Sequence, residues 1–360
     1  MPLLDAVRTF SHRWYKALEA RDHDLLYLFL EITRRCNLRC LHCGSDCRNE
    51  PGGPELSTDS WVQIIEYVRH HFGATPFFVI TGGEPLLHPD LAAIGAAIRD
   101  RGMKWGMVTN GLAMTGRHMN ELARSGLGSI TISLDGDAQT HGWLRANPHS
   151  YDRACEAIRL AAGAGLPHMD VVTCVNPRNL DQLPAIAERL LELGVPAWRL
   201  FRIFPSGRAA DNPDLLLDRD RTWRMIAWIR DNRPSLASRG LTVDLSCEGW
   251  LPMSLDRRVR SRPFFCRAGI NIASILSDGA ITGCSNNHPS FAQGNILRDD
   301  FATVWEKGFC EFRKREWVTK TACAGCRWVK ECGGGAMHLW KAGGRETGFC
   351  VMASCTNWPA

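Results

Sequence analysis

Between residues 28 and 204, short apolar runs alternate with segments of helical period, and this alternation restricts the fold more than any other feature of the chain. The apolar runs are Leu28–Thr33, Phe77–Thr81, Lys104–Thr109, Ser129–Leu134, Asp170–Val175 and Trp198–Phe204. The helical segments between them are Thr58–His71, Asp90–Arg101, Arg117–Ser125, Tyr151–Ala164 and Leu180–Leu193. A helix after each strand returns the chain across the sheet, so successive strands pair in parallel. The fold class expected is α/β, a parallel sheet with helices outside. Six units suit a partial (β/α)6 barrel of TIM type as well as an open doubly wound sheet, and both place function at the C-terminal strand ends. The distinctive residues stand at those ends. Cys36, Cys40 and Cys43 follow the first run, Gly82-Gly83-Glu84-Pro85 the second, Asn110-Gly111 the third and Asp135-Gly136 the fourth.

Beyond Pro205 the texture changes. One more helix, Arg219–Asn232, leads into a segment rich in Gly, Cys and Trp. Three parts follow: an N-terminal helix over 1–25, a core domain over 26–240 and a small cysteine-rich domain over 241–360. The first twenty residues mix Asp5, Arg8, His12, Arg13 and Lys16 among apolar positions and lack a secretory apolar region, which reads as an amphipathic helix of a cytoplasmic protein. No apolar run reaches membrane-spanning length. The formal charge of +5 over 360 residues, without a like-charge block, lends no support to nucleic-acid or membrane-surface binding.

Fifteen cysteines in a long, unexported chain point to metal or iron–sulfur binding rather than disulfides. Cys36-x3-Cys40-x2-Cys43 supplies three thiolates, while a closed four-iron cluster in a protein takes four. A missing ligand leaves one iron able to bind a reacting molecule, as an open position does in a catalytic metal site. The plainer reading is a zinc site completed by Cys47, or packed thiols. In the last third, Cys266 precedes Gly279-x4-Cys284, then Cys323-x2-Cys326-x5-Cys332 and Cys350. Here the plainer reading is a zinc ribbon of Cys323, Cys326, Cys332 and Cys350.

The loop Cys36-Asn-Leu-Arg-Cys40-Leu-His-Cys43 resembles the cluster loop of radical S-adenosylmethionine (SAM) enzymes. That resemblance implies a [4Fe–4S] cluster whose open iron chelates the amino and carboxylate groups of SAM. Reductive cleavage of SAM then gives a 5′-deoxyadenosyl radical that abstracts a hydrogen atom. Thr81-Gly82-Gly83-Glu84-Pro85 resembles the family's GGE motif, which meets the SAM amino group; glycines allow close backbone approach and a carboxylate favours an ammonium. By the same resemblance Asn110, Ser133 and Asp135 fall near the ribose and carboxylate of SAM, with Arg145 near the carboxylate. The bland alternatives are Asx-type turns and a helix-surface arginine.

The last third resembles the SPASM extension of these enzymes, which holds one or two auxiliary iron–sulfur clusters. The resemblance gives Cys323, Cys326, Cys332 and Cys350 to one cluster, and Cys266 and Cys284 to another nearer the active site. The chain departs from the family at Ala336, where a cysteine is usual. Cys355, Cys310 or Cys247 could substitute, with Cys355 favoured for its closeness to Cys350 in sequence; otherwise that cluster is open, altered or absent. Cys155 reads as a helix-face core residue, and Cys174 as a strand residue near the barrel interior. The tryptophans beside the C-terminal cysteines, Trp305, Trp317, Trp328 and Trp340, are expected to pack around the clusters.

Enzymes of this kind mostly modify peptides or protein side chains, so the expected activity is a radical SAM oxidoreductase acting on a peptide or protein. The same chemistry on a small molecule is the first alternative, and a non-catalytic iron–sulfur or zinc protein the second. Ser285 stands where sulfatase-maturing members carry an Asp base, which lowers the formylglycine reading. About 27 residues precede the first strand, too few for a leader-gripping domain of about eighty. Expected partners are therefore a peptide or protein substrate, a reductant such as flavodoxin or ferredoxin, and a separate leader-peptide-binding protein. Asp46, Glu248, Asn286 and His288 are the candidates for an acid or base.

Overall fold

The computed structural model describes residues 3–48, 50, 53–247, 249–340 and 350–352. Ten strands form one sheet among the described residues, in the order β10-β9-β8-β1-β2-β3-β4-β5-β6-β7. In chain order these are β1 (Tyr27–Glu31), β2 (Phe77–Thr81), β3 (Lys104–Thr109), β4 (Leu127–Ser133), β5 (His168–Val175), β6 (Ala197–Arg202), β7 (Thr242–Leu245), β8 (Ile272–Ile275), β9 (Ala280–Thr282) and β10 (Gly294–Asn295). Strands β1 to β7 pair in parallel, each with its successor, and β8 joins β1 in parallel. The short β9 and β10 then run antiparallel along that edge. The fold is the partial TIM-type barrel, and the cysteine-rich region extends the same sheet.

Alternation along each strand separates two faces. Leu28, Leu30, Phe78, Ile80, Ile130, Ile132, Trp198 and Leu200 are fully buried towards the helices. Those helices include α2 (Thr58–Phe72), α3 (Leu91–Asp100), α4 (Gly116–Arg124), α6 (Ser150–Gly163), α7 (Leu183–Glu192) and α8 (Arg219–Ser238). Each presents an apolar stripe, such as Trp61, Ile64, Ile65 and Val68 on α2. Side chains at the intervening strand positions face the barrel interior and stay partly accessible, among them Asp170, Cys174, Arg199 and Asp244. Cys155 lies on the buried face of α6, and Cys174 on the interior face of β5.

Three elements differ from the sequence reading. A short helix, α5 (Ala138–Arg145), follows β4. It buries Thr140, His141, Gly142, Leu144 and Arg145, so it shows little of the one-sided pattern that marks a surface helix. Helix α8 continues past Asn232 to Ser238 with Pro234 inside it. Pro234 removes one backbone donor, but Leu236 is buried and its carbonyl accepts from the backbone N–H of Leu241, so the last turn is held from its far side. Strand β7 had no counterpart because four residues of alternating burial carry too little periodicity to stand out.

The N-terminal helix α1 (Leu3–Asp22) forms as expected but docks by its polar side chains. Leu4, Val7, Phe10, Trp14 and Leu18 stay 40–60% exposed. Contacts to the body come instead from His12 Nε2 to the Phe264 carbonyl at 3.1 Å and from Glu19, which accepts from Asn271 and pairs with Arg267. Among the described residues no helix is long and apolar enough to cross a membrane.

Candidate active site

The loop from Arg34 to Arg48 caps the C-terminal ends of the barrel strands, and its backbone is held from three directions. From β2, the Gly83 and Glu84 amides donate to the carbonyls of Thr33 and Arg35 at 2.8 Å each. Those contacts require glycine: a Cβ on Gly82 would lie 2.3 Å from the Thr33 oxygen, and one on Gly83 2.3 Å from the Arg35 oxygen. At the C-terminal end of α5, the Leu144 carbonyl accepts from the Leu41 amide at 2.9 Å. From beyond β6, Arg208 donates to the carbonyls of Cys40 (2.8 Å) and Cys47 (2.9 Å) and to Asp46 (2.7 Å), while its own amide reaches the Cys43 carbonyl at 3.0 Å. Arg208 was absent from the sequence reading, since nothing local marks an arginine so far downstream as the clamp of this loop.

Cys36, Cys40 and Cys47 are buried and Cys43 is half-buried, with Leu38 and Leu112 packed among them. Each of the three motif sulfurs has a donor from its own chain. Asn110 Nδ2 lies 3.9 Å from Cys36 Sγ, and Arg145 Nη1 lies 3.8 Å from Cys40 Sγ. Cys43 is paired with the Cys47 sulfur, and that contact is the main cause holding the Cys43 thiol below its ordinary range. Burial pushes Cys36 up to about 11 and raises Cys40 as well, although Arg145 works against the rise at Cys40. Metal binding deprotonates such thiols, and donors aimed at the sulfurs favour the thiolates. The three residues therefore fit a cluster with three protein ligands. Among the described residues no group of three His, Cys, Asp or Glu side chains could hold a metal ion, whereas a four-iron cube takes its cysteines at separate corners.

The strand-end residues converge on this loop. Glu84 is fully buried; it accepts from the Thr109 hydroxyl at 2.6 Å, the Asn110 amide at 2.7 Å and the Leu86 amide at 3.2 Å. Burial raises its carboxyl above the ordinary range against those bonds. Asn110 also donates to Asn37 Oδ1 at 2.8 Å. Asp135 is fully buried, pairs with Arg145 at 2.6 Å and accepts from the Cys174 amide at 2.7 Å. Burial opposes its ionisation, but Arg145, His42 and His141 more than offset that and hold it low. Arg145 is itself buried, against the helix-surface alternative. Ser133, the last residue of β4, is buried at the same end. His42 and His141, also missed in the sequence, complete this network; burial lowers them to about 3 and about 4. Asp46 is engaged by Arg48 and Arg208, His288 is exposed and contacts Ser290, Asn286 is exposed, and Glu248 lies outside the described residues.

In the cysteine-rich region, Cys323, Cys332 and Cys350 line a small apolar cavity that is partly open to solvent, with Trp250, Leu339, Val351 and Met352 on its walls. Cys326 is exposed, and its amide donates to the Cys323 carbonyl at 3.1 Å. Three thiols on an apolar cavity fit a cluster of the kind that the SPASM resemblance implies. Trp328 packs on Trp250 at 5.0 Å and Trp317 on Trp340 at 4.8 Å, while Trp305 stacks instead on His23. A second group forms where four segments meet. Gly283 packs on the Gly269 amide, the Met337 amide points at Cys266 Sγ at 3.4 Å, and Gly335 approaches Gly249. Arg315 ties the Gly335 carbonyl (2.7 Å) to that of Cys266 (3.3 Å). Cys247, Cys266 and Cys284 lie within charge–charge reach of one another. Ala336 is buried at this junction, Cys310 is exposed and bonded to the Lys307 carbonyl, and Cys355 lies outside the described residues. Beside the first group, Lys16 of α1 donates to the Glu331 carbonyl next to Cys332. Burial lowers Lys16 to about 8, against the pull of Cys332 and Glu331.

Comparison with known proteins agrees with this arrangement. Residues 30–190 match the Radical SAM superfamily, and residues 266–327 match SPASM, an iron–sulfur cluster-binding domain. The chain is 31% identical over 315 residues to mycofactocin maturase MftC of Mycobacterium tuberculosis, covering 85% of this chain and 77% of that protein. It is 26% identical over 321 residues to the AdoMet-dependent heme synthase of Nitratidesulfovibrio vulgaris, covering 84% and 85%. The crystal structure of Streptococcus suis SuiB bound to S-adenosylmethionine shares the fold, with a TM-score of 0.67 at 18% identity over 88% of this chain and 74% of SuiB. A three-cysteine loop at the strand ends, a second cysteine cavity and these matches together make the chain a radical SAM enzyme with a SPASM domain, bearing a SAM-binding [4Fe–4S] cluster and auxiliary iron–sulfur binding.

Proposed function

We propose that this enzyme acts on a peptide or protein and oxidises or crosslinks it at an unactivated C–H bond. The observation that carries this reading is the interior face of β4 to β7. Thr131 donates to Asp170 at 2.6 Å, Arg199 pairs with Asp170 and donates to Thr131 at 3.0 Å, and Asp244 lies one strand further on. The Arg199 and Asp244 side chains keep 38% and 31% of their surface accessible. A small-molecule pocket buries most of its ligand and converges a few polar groups on it. An accessible charged face suits the amides and termini of an extended chain, and the 31% identity to a maturase agrees with it.

When bound, the cluster and SAM supply the radical that removes the hydrogen atom, so the protein's task is to position and shield. In this reading Cys36, Cys40 and Cys43 hold three corners, and Asn110 and Arg145 steady the thiolate charge on two of them. Gly82 and Gly83 let two loops meet without side chains between them. Glu84 and Asp135 act mainly by pinning strand ends, since their oxygens are already engaged by their own chain. For the auxiliary sites, Cys323, Cys326, Cys332 and Cys350 are assigned to one cluster. Cys247 is assigned to the other with Cys266 and Cys284, in place of the cysteine missing at 336. Its left-handed backbone, φ 55°, supports this, because such strain in a non-glycine residue tends to persist where function requires it. A flavodoxin or ferredoxin as reductant and a separate leader-binding protein belong to the same proposal.

A second reading, a small carboxylated tetrapyrrole as substrate, is favoured by the 26% identity to a heme synthase along most of both chains. Anaerobic, reconstituted and reduced enzyme separates the two. Candidate peptides encoded beside the gene should raise 5′-deoxyadenosine formation above the substrate-free rate, and Arg199→Leu should raise KM more than it lowers kcat. Stimulation by iron-coproporphyrin alone would overturn the peptide reading.

A further inference from the structure

Helix α1 lies outside both matched segments, yet from His12 onward its side chains are tied to the cysteine-rich region. His12 reaches the Phe264 carbonyl, Arg13 lies 3.9 Å from Glu331, and Glu19 engages Arg267 and Asn271. Just past the helix, His23 bridges the carbonyls of Ile270 (2.7 Å) and Trp305 (2.8 Å). Exposed apolar residues on the opposite face show that burial of oil-like surface is not what holds the helix there. The docking is polar, and it delivers one half-buried cation, Lys16, to the carbonyl of Glu331, directly before Cys332.

We propose that Lys16 is a positioning residue for the cluster bound by Cys323, Cys326, Cys332 and Cys350, and that its ammonium raises that cluster's reduction potential. Adding an electron makes a cluster more negative, and a nearby cation favours that form more than the oxidised one. Net charge, hydrogen bonding and solvent exposure around the sulfurs are the levers by which proteins set these potentials. Lys16 acts on the first of these, as a charge held at the carbonyl directly before Cys332. The proposal rests on the cluster assignment and is independent of the substrate class.

The test is an anaerobic redox titration of the full reconstituted chain followed by electron paramagnetic resonance, with the relevant signal identified by its loss in Cys326→Ala. Lys16→Met should shift the midpoint of that signal to more negative potential. It should leave the iron content and the signal of the Cys36–Cys43 cluster unchanged, and Lys16→Arg should restore the wild-type midpoint. An unchanged midpoint in Lys16→Met overturns the proposal. So does loss of that cluster's iron in both Lys16→Met and Lys16→Gln, which would make the residue structural only.

Discussion

The two cysteine regions of this molecule are built on opposite principles. The loop of Cys36, Cys40 and Cys43 is mostly buried, sits on the ends of long parallel strands, and is fastened by residues far away in sequence, Arg145 and Arg208 above all. The cavity of Cys323, Cys332 and Cys350 is partly open and lies on short turns whose hydrogen bonds are mainly local. The first arrangement gives a fixed geometry, which radical chemistry at a single carbon needs. The second lies closer to solvent, and helix α1 reaches its edge only through Lys16 and Arg13 at Glu331.

The comparison can be broken most sharply with one cysteine from each side. Cys40→Ala should abolish SAM cleavage altogether, measured as 5′-deoxyadenosine under strong reductant. Cys326→Ala should preserve that cleavage, lose about four irons per chain and impair product formation. If both variants cleave SAM equally, the division of labour is wrong. Next in size, Arg208→Ala removes three side-chain bonds to the cluster loop and should lower its iron occupancy or SAM turnover by about 10–100-fold, the range seen when a ligand's supporting shell is lost. Iron analysis of this variant should show the C-terminal clusters intact.

Acid should expose the buried side of the comparison. Burial lowers His141 from 6.5 to about 4, so it stays neutral in the fold while the unfolded chain takes up its proton first. Stability from this residue is present above pH 6.5 and falls as pH drops towards 4, by at most about 3 kcal/mol. Melting curves of His141→Phe across that window should be flatter than those of the wild type. The smallest effect is at the cap of α5, where the Asp137 carboxylate accepts from the Thr140 amide at 2.7 Å. Asp137→Ala should cost about 1 kcal/mol in denaturant unfolding and shift the Arg145 end of the helix only slightly.

Much of this architecture is legible in the chain itself. Five helices and six strands stand out because hydrophobic period is a local property, repeated over enough residues to be seen. Phe77–Thr81 and Lys104–Thr109 match residue for residue, since both are bounded by glycine or polar turns. The cysteine spacings, read with the strand ends, point to the cluster-binding family. Short or wholly buried elements such as α5 and β7 are not legible, because α5 lacks a contrasting face and β7 has too few residues for its alternation to stand out.

What the amino-acid order determined by itself is therefore the βα succession and the placing of three thiols at a strand end, both consequences of neighbours along the chain. Only the tertiary structure decided that Arg208 clamps the cluster loop and that Asp135 is consumed by Arg145. It also decided that Cys247 falls within charge–charge reach of Cys266 and Cys284, and that α1 turns its polar side inward. Each of these joins segments brought together by strand order and domain packing. No local pattern encodes which distant carbonyl or charge a side chain will meet once the sheet has closed around it.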